Sequence, residues 1–398
     1  MQMPNMSKTL AEIAQQLKYA DKKVQLIYAF NGTGKTRLSR EFKDQLAEEM
    51  DVGVVNAEAS ELSRKNVLYY NAFTEDLFFW DNDLTGDEDR KLKIHPNVFT
   101  KWVLEEQGQG PTIIDHFQRL TNSNVEPKFS ADFSEIYFAI RGDEQNVPIK
   151  ISKGEESNLI WCIFYSLLDL IVEELSSTIG DKSTNDFNKL KYVYIDDPVS
   201  SLDDNHLIEL AVDLAKLVKS SSANLKFIIT THSPLFYNIL SNELNNRLAK
   251  DPDADVIEWI YKPGEAQKFR FDRKANGTFA LTVLDRKTPF SYHLLLLSEI
   301  REAIRSDQIR KYHFNFLRNI FEKTATFLGC DNWESLLPRS PDGNPDPYAN
   351  RILNLSSHSA HAGEETGEVE ANDKEKLEEL VIFLSNTYGF WSPGSPND

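Results

Sequence analysis

Residues 24–36 read VQLIYAFNGTGKT, an apolar run that breaks at Asn31-Gly32 and closes on Gly34-Lys35-Thr36. The β-branched and aromatic content of Val24–Phe30 predicts a buried strand. From Thr36 to Met50, helix-forming residues carry apolar positions at helical spacing. Strand, glycine turn and helix in that order suit a phosphate-binding loop. Successive backbone N–H groups and the positive end of the helix dipole would cradle phosphate oxygens around Asn31, Gly32, Thr33 and Gly34. Lys35 would reach the β- and γ-phosphates, and the Thr36 hydroxyl would ligate Mg²⁺. The pattern departs at Ala29, five residues before Gly34, where a first glycine is usual; a small side chain still permits the turn. A plain glycine turn between strand and helix is the competing reading.

Further motifs follow in order along the chain. Tyr192–Asp197 (YVYIDD) is an apolar strand ending in two carboxylates. Asp196 suits a water-mediated Mg²⁺ contact, and Asp197 stands where a glutamate usually polarises the attacking water. Ser201-Leu202-Asp203 follows at the distance of the D-loop of ABC-type ATPases, and His232 falls where those enzymes carry a switch histidine. Ile151-Ser152-Lys153-Gly154-Glu155 matches their signature segment ahead of a helix. There the Ser152 hydroxyl and Gly154 N–H, with the helix N-terminus, would contact the γ-phosphate of a nucleotide held by another subunit, Glu155 completing the nucleotide-binding segment. That shared geometry requires two such domains face to face, hence a homo-oligomer, a dimer or tetramer. Asn71 lies near the position of a Q-loop without being glutamine.

Between these motifs strands alternate with helices, which predicts a parallel sheet covered by helices. Val67–Trp80 reads as a short strand followed by a turn or helix, and Asp81–Arg141 has no clear pattern. After Gly264 the texture changes: Ser291–Phe327 reads as one or two long helices and roughly Asp373–Tyr388 as a last one. The expected fold class is α/β, an ABC-type P-loop NTPase domain over residues 1–264 followed by a mainly α-helical domain over 265–398.

Composition bounds the function. The chain has 398 residues, 40% of them hydrophobic, enough for real cores. Acidic residues number 62 against 44 basic ones, a formal charge of -18, which argues against a protein that coats DNA through a broad cationic surface. One local basic cleft remains compatible with that balance. No apolar run is long enough to span a bilayer, the polar start is not a secretory signal, and two cysteines exclude a disulfide framework or a Cys-based zinc site. A reducing cytoplasm is the expected location.

In the C-terminal region Arg318 and Glu322 stand four apart on one predicted helix and share a face. Spacing alone also describes an exposed ion pair worth about 0.3 kcal/mol. His358 and His361 fall in a predicted small-residue turn, Ser356–His361, open to a structural role or a partial metal site. Arg, Glu and His together make a sufficient kit for metal-independent RNA cleavage. A base takes the 2′-OH proton, an acid protonates the departing 5′-oxygen, and a guanidinium stabilises charge on the phosphorane.

Several phrases resemble bacterial anticodon nucleases of the PrrC type: Ile27–Ser39, Tyr69–Trp80 (YYNAFTEDLFFW), Ser152–Ser157 (SKGEES), Ile195–Leu207 (IDDPVSSLDDNHL), Ile228–Tyr237 (IITTHSPLFY) and Phe290–His293 (FSYH). The resemblance covers nearly the whole chain. It implies an NTPase domain that controls a C-terminal tRNA endoribonuclease cutting tRNA-Lys 5′ to the wobble position, leaving a 2′,3′-cyclic phosphate and a 5′-hydroxyl. The catalytic Arg-x-x-x-Glu and His of that family map onto Arg318, Glu322 and His358, with His361 the neighbouring alternative. A recognition peptide maps onto Asp285–His293, with Asp285 and Ser291 as tRNA contacts. The resemblance further implies GTP or ATP hydrolysis with Mg²⁺, dTTP as a regulatory ligand, silencing by a type I DNA restriction-modification complex, and a role in antiphage defence. A different class of function fits the same front half: an ABC-type ATPase sensing DNA or restriction complexes, its C-terminal region a docking module.

Overall fold

A computed structural model describes residues 7–47, 66–71, 78–82, 90–94, 102–121, 124–142, 149–177, 187–198, 204–221, 224–251, 257–274, 276–284, 291–358 and 369–390. The chain divides into two compact units, residues 1–289 and 290–398.

In the first unit, helix α1 (Leu10–Tyr19) precedes strand β1 (Val24–Tyr28), every residue of which is buried. Helix α2 (Lys35–Ala47) follows the glycine turn. Strands β2 (Val67–Asn71), β7 (Tyr192–Asp196), β8 (Lys226–Thr231), β11 (Ala266–Arg273) and β12 (Phe279–Val283) complete a six-stranded sheet in the order β12-β11-β1-β8-β7-β2. Its first five strands in chain order run parallel, as the largely apolar, fully buried strands β1 and β7 suit when covered on both faces. The sixth, β12, returns antiparallel to β11. One face buries Ile27, Tyr194, Ile228 and Phe271 against Ile13, Leu17, Leu38 and Phe42 of α1 and α2. Truncating a ring such as Phe42 in this layer costs about 3–5 kcal/mol.

The region without a clear sequence pattern forms a second sheet. Strands β3 (Phe78–Asn82), β4 (Arg90–Ile94), β5 (Val125–Phe129) and β6 (Glu135–Ile140) pair antiparallel in the order β3-β4-β6-β5. Pro127 sits in β5, an edge strand, where its missing N–H breaks no ladder. The expectation of a turn or helix through Trp80 is thus corrected to a strand, with residues 72–77 outside the described set. Helix α3 (Gly110–Thr121) lies between β4 and β5 in the chain. The long helix α4 (Lys153–Ser176) precedes β7, α5 (Asp204–Ser220) follows it, and α6 (Pro234–Glu243) follows β8. A two-stranded ribbon, β9 (Leu248–Ala249) with β10 (Trp259–Tyr261), leads into β11.

The boundary expected at residue 264/265 moves. Both β11 and β12 lie beyond it, yet β11 hydrogen-bonds along the whole of β1, so the first unit extends to residue 289. The second unit is helical: α7 (Tyr292–Arg305), α8 (Lys311–Leu328), a short 3₁₀ turn (Trp333–Leu336), α9 (Pro347–His358) and α10 (Ala371–Tyr388). Helix α8 packs on α7 and α9 through Phe314, Leu317, Ile320 and Phe321, and Gly329, at φ 70, ends it in the left-handed cap that glycine favours. No helix among the described residues is long and apolar enough to cross a membrane.

Candidate functional site

Because β1, β8, β7 and β2 are parallel, their C-terminal ends come together. Tyr28 is in register with Thr231, Thr230 with Asp196, and Asp196 with Asn71. Ligands of open α/β sheets bind at this edge. Here a cleft of about 250 Å³ is lined by Asn31, Gly32, Gly34, Lys35, Thr36, Arg37, Asp196 and Asp197. That is smaller than the ~300–1,000 Å³ of sites that engulf a whole small molecule, and suits a polyphosphate tail.

The loop is built where left-handed backbone is available. Gly32 and Gly34 have φ of 77 and 112, whereas Ala29 does not have positive φ and is fully buried. The missing first glycine therefore costs the turn nothing. Lys35 Nζ donates to Asn31 Oδ1 (3.2 Å) and to the carbonyls of Ala29 and Phe30 (3.3 Å each), and lies 3.4 Å from Asp197 Oδ2. Thr36 Oγ1 donates to Asp196 Oδ2 at 2.8 Å, and Thr230 Oγ1 to Asp196 Oδ1 at 2.6 Å. The His232 Nδ1–H group points at both oxygens of Asp197, 2.6 and 2.8 Å away.

The two adjacent carboxylates are tuned apart. Burial pushes Asp196 up, against the hydrogen bonds from Thr230 and Thr36. Burial acts on Asp197 in the same sense but is outweighed by the His232 hydrogen bond and the Lys35 charge, which hold it below the usual carboxylate range. A hydroxyl and a buried carboxylate, Thr36 and Asp196, are hard oxygen donors of the kind Mg²⁺ takes, and a cation there would offset the cost of burying the charge. Thr230 and Thr231, which orient the two aspartates, were not singled out in the sequence, because threonine in an apolar strand reads as a strand former.

Ser152 and Glu155 are not brought to this cleft. Ser152 is the N-cap of α4, and the pair forms a capping box: Glu155 N donates to Ser152 Oγ (3.2 Å) and Ser152 N to Glu155 Oε2 (2.8 Å). Gly154 sits in the first turn of that helix. Asp203 and the rest of Ser201–Asp203 lie outside the described residues, as do Asp285 and His361. Ser291 caps α7, its Oγ accepting from Leu294 N at 3.4 Å.

In the second unit Arg318 Nε donates to Glu322 Oε1 at 2.8 Å, and Arg318 Nη1 to Asn354 Oδ1 at 2.9 Å across to α9. The pair is therefore one side of an interhelical contact, more than an isolated exposed ion pair. His358 was expected in a turn; helix α9 instead continues through it, so its backbone stands one turn beyond Asn354.

Comparison with known proteins places the chain in a family. A model of the AAA domain family matches residues 112–385, which include Asp196, Asp197 and His232 but begin after the glycine loop. An anticodon nuclease of Escherichia coli is 48% identical over 418 residues, covering 98% of this chain and all of that protein. Two solved structures also match over 67% of this chain and 91% of theirs. They are an SMC head domain from Thermotoga maritima (15% identity, TM-score 0.29) and an SMC head bound to the C-terminal winged-helix domain of ScpA (13%, TM-score 0.32). Scores that low add nothing to the assignment. The full-length kinship does: this chain belongs to the anticodon nuclease family and carries an AAA domain.

Proposed function

We propose that the chain is a nucleotide-regulated anticodon nuclease in which the first unit binds and hydrolyses a nucleoside triphosphate and the second cleaves tRNA. In the first unit, backbone N–H groups from Gly32 to Thr36 and the Lys35 ammonium hold the phosphates. Thr36 and Asp196 would hold Mg²⁺, which when bound supplies charge neutralisation at the β- and γ-oxygens. Asp197 holds His232 by its Nδ1, leaving Nε2 as the nitrogen that senses the γ-phosphate or its attacking water. Ser152 and Gly154, at the start of α4, would complete the site on a second copy of the chain, with Asp203 beside them.

In the second unit His358 and Glu322 are the acid–base pair around the scissile phosphodiester, and Arg318 stabilises charge on its non-bridging oxygens. The 2′-OH attacks the adjacent phosphorus, the 5′-oxygen leaves with a proton, and a 2′,3′-cyclic phosphate results without a metal ion. The observation that supports this most is the Arg318–Asn354 bond, because it joins the Arg-Glu helix to the helix whose next turn carries His358. The substrate is the anticodon loop of tRNA-Lys, cut 5′ to the wobble nucleotide, with Asp285 and Ser291 as contacts. GTP or ATP drives the switch, dTTP is a regulatory ligand, and a type I restriction-modification complex holds the enzyme silent until phage disables it.

The test is end-labelled tRNA-Lys incubated with wild type and His358→Ala in EDTA after nucleotide activation. Wild type yields a cyclic-phosphate end at the wobble position and the variant does not. Cleavage by the variant at the wild-type rate refutes His358 as a participant, and a product formed only with divalent metal refutes the 2′-OH mechanism.

A further inference from the structure

We infer that Asn354 and Trp333 are positioning residues that hold Arg318 in register with the scissile phosphate; this rests on reading Arg318 as the phosphate-stabilising group. A guanidinium on a flexible side chain stabilises an oxyanion efficiently only when its plane is fixed before the substrate arrives. Arg318 is held from three directions. Its Nε donates to Glu322 Oε1 at 2.8 Å, its Nη1 donates to Asn354 Oδ1 at 2.9 Å, and its Cζ lies 5.4 Å from the centroid of the Trp333 ring. Glu322 comes from the same helix, so alone it leaves the guanidinium free to swing with that helix's side-chain rotamers. Asn354 and Trp333 come from elsewhere in the chain and remove that freedom.

Both partners are themselves held. Asn354 Nδ2 donates to Asn350 Oδ1, one turn back on α9, which turns the Asn354 carbonyl oxygen towards Arg318. Trp333 is buried and packs against Phe321, centroids 6.5 Å apart, in a 3₁₀ turn capped by Asn332 Oδ1, which accepts from Ser335 N at 3.0 Å. The guanidinium thereby lies within cation–π range of an indole, the ring most favourable for a cation. The bond to Asn354 also ties α8 to α9, so it couples the position of Arg318 to the helix that ends in His358.

The experiment is single-turnover cleavage of an anticodon stem-loop RNA by the full-length activated protein, comparing Arg318→Ala, Asn354→Ala, Trp333→Leu and Trp333→Phe. Asn354→Ala and Trp333→Leu should lower kcat by about 10- to 100-fold with KM changed less than about twofold, the pattern of lost orientation rather than lost binding. Trp333→Phe, which keeps a ring face, should stay within about threefold of wild type. Arg318→Ala inactive beside Asn354→Ala and Trp333→Leu at wild-type kcat overturns the inference while sparing the reading of Arg318. Arg318→Ala cleaving like wild type overturns both. If Asn354→Ala and Trp333→Leu do not fold, nitrogen-15 NMR of the wild-type Arg318 guanidinium decides. Slow rotation about its Nε–Cζ bond supports the clamp, and free rotation contradicts it.

Discussion

His232 and Asp197 form a clasp in which one imidazole N–H faces two carboxylate oxygens, 2.6 and 2.8 Å away, while the backbone N–H of His232 lies 3.3 Å from the same group. Asp197 achieves this with φ at 54, a left-handed conformation that aspartate and asparagine tolerate better than most residues. Its carboxylate also faces Lys35, so it organises both that lysine and the histidine.

Asp197→Asn should keep the fold, since asparagine accepts the same backbone, and lose the charge that holds Lys35 and His232 in place. NTP hydrolysis should fall by about 10²-fold, with nucleotide affinity changed less than about tenfold. Phosphate release and fluorescent-nucleotide titration measure the two separately; undiminished hydrolysis would remove Asp197 from the machinery.

Gly34→Ala meets one obstacle, in the backbone and not in the space around it. Its φ of 112 is strained for any residue with a Cβ, and the added carbon would come 3.6 Å from Phe279 Cε1, a normal contact. Backbone strain therefore dominates, at about 1–3 kcal/mol. Nucleotide binding should be lost while the overall melting temperature falls by only a few degrees, as calorimetry with and without nucleotide would show.

His313 makes the second unit acid-sensitive. It is buried at the start of α8, accepts from the Arg310 backbone N–H at 2.8 Å, and is pushed down to about 4, first by burial. Because the folded value lies below the usual 6.5, the neutral ring favours the folded state. The contribution is fully present above pH 6.5 and disappears as pH falls from 6.5 to about 4, reaching about 3 kcal/mol. Protonation would also turn an acceptor towards the Arg310 N–H into a second donor. His313→Gln, which can cap without titrating, should flatten stability across that range in urea melts; an unchanged slope would assign the acid sensitivity elsewhere.

How much of this was legible before the structure depends on the physics of each segment. The C-terminal edge of the parallel sheet was readable because buried parallel strands are written as largely apolar runs and the glycine turn has a fixed place after β1. Asn31, Gly32, Gly34, Lys35, Thr36, Asp196 and Asp197 line one cleft, with His232 on Asp197. The antiparallel sheet was hidden because β4 (RKLKI) and β5 (VEPKF) mix charge and proline into short strands whose pairing partners are distant in sequence. The same non-local pairing misplaced the domain boundary: nothing within Ala266–Arg273 announces that it docks on β1. Asn354 and Trp333 were invisible because neither spacing nor composition links them to Arg318, and only the packing of α8 brings them together.

Two separable chemistries in one chain are the central claim, and a crossed assay of Arg318→Ala and Lys35→Ala measures that directly. With tRNA cleavage and phosphate release followed in parallel, Arg318→Ala should lose about 10³-fold or more of its cleavage while hydrolysing NTP within about twofold of wild type. Lys35→Ala should lose hydrolysis and, with it, nucleotide-activated cleavage. Full anticodon cleavage by Arg318→Ala, or loss of both activities in that variant with its fold intact, would contradict it.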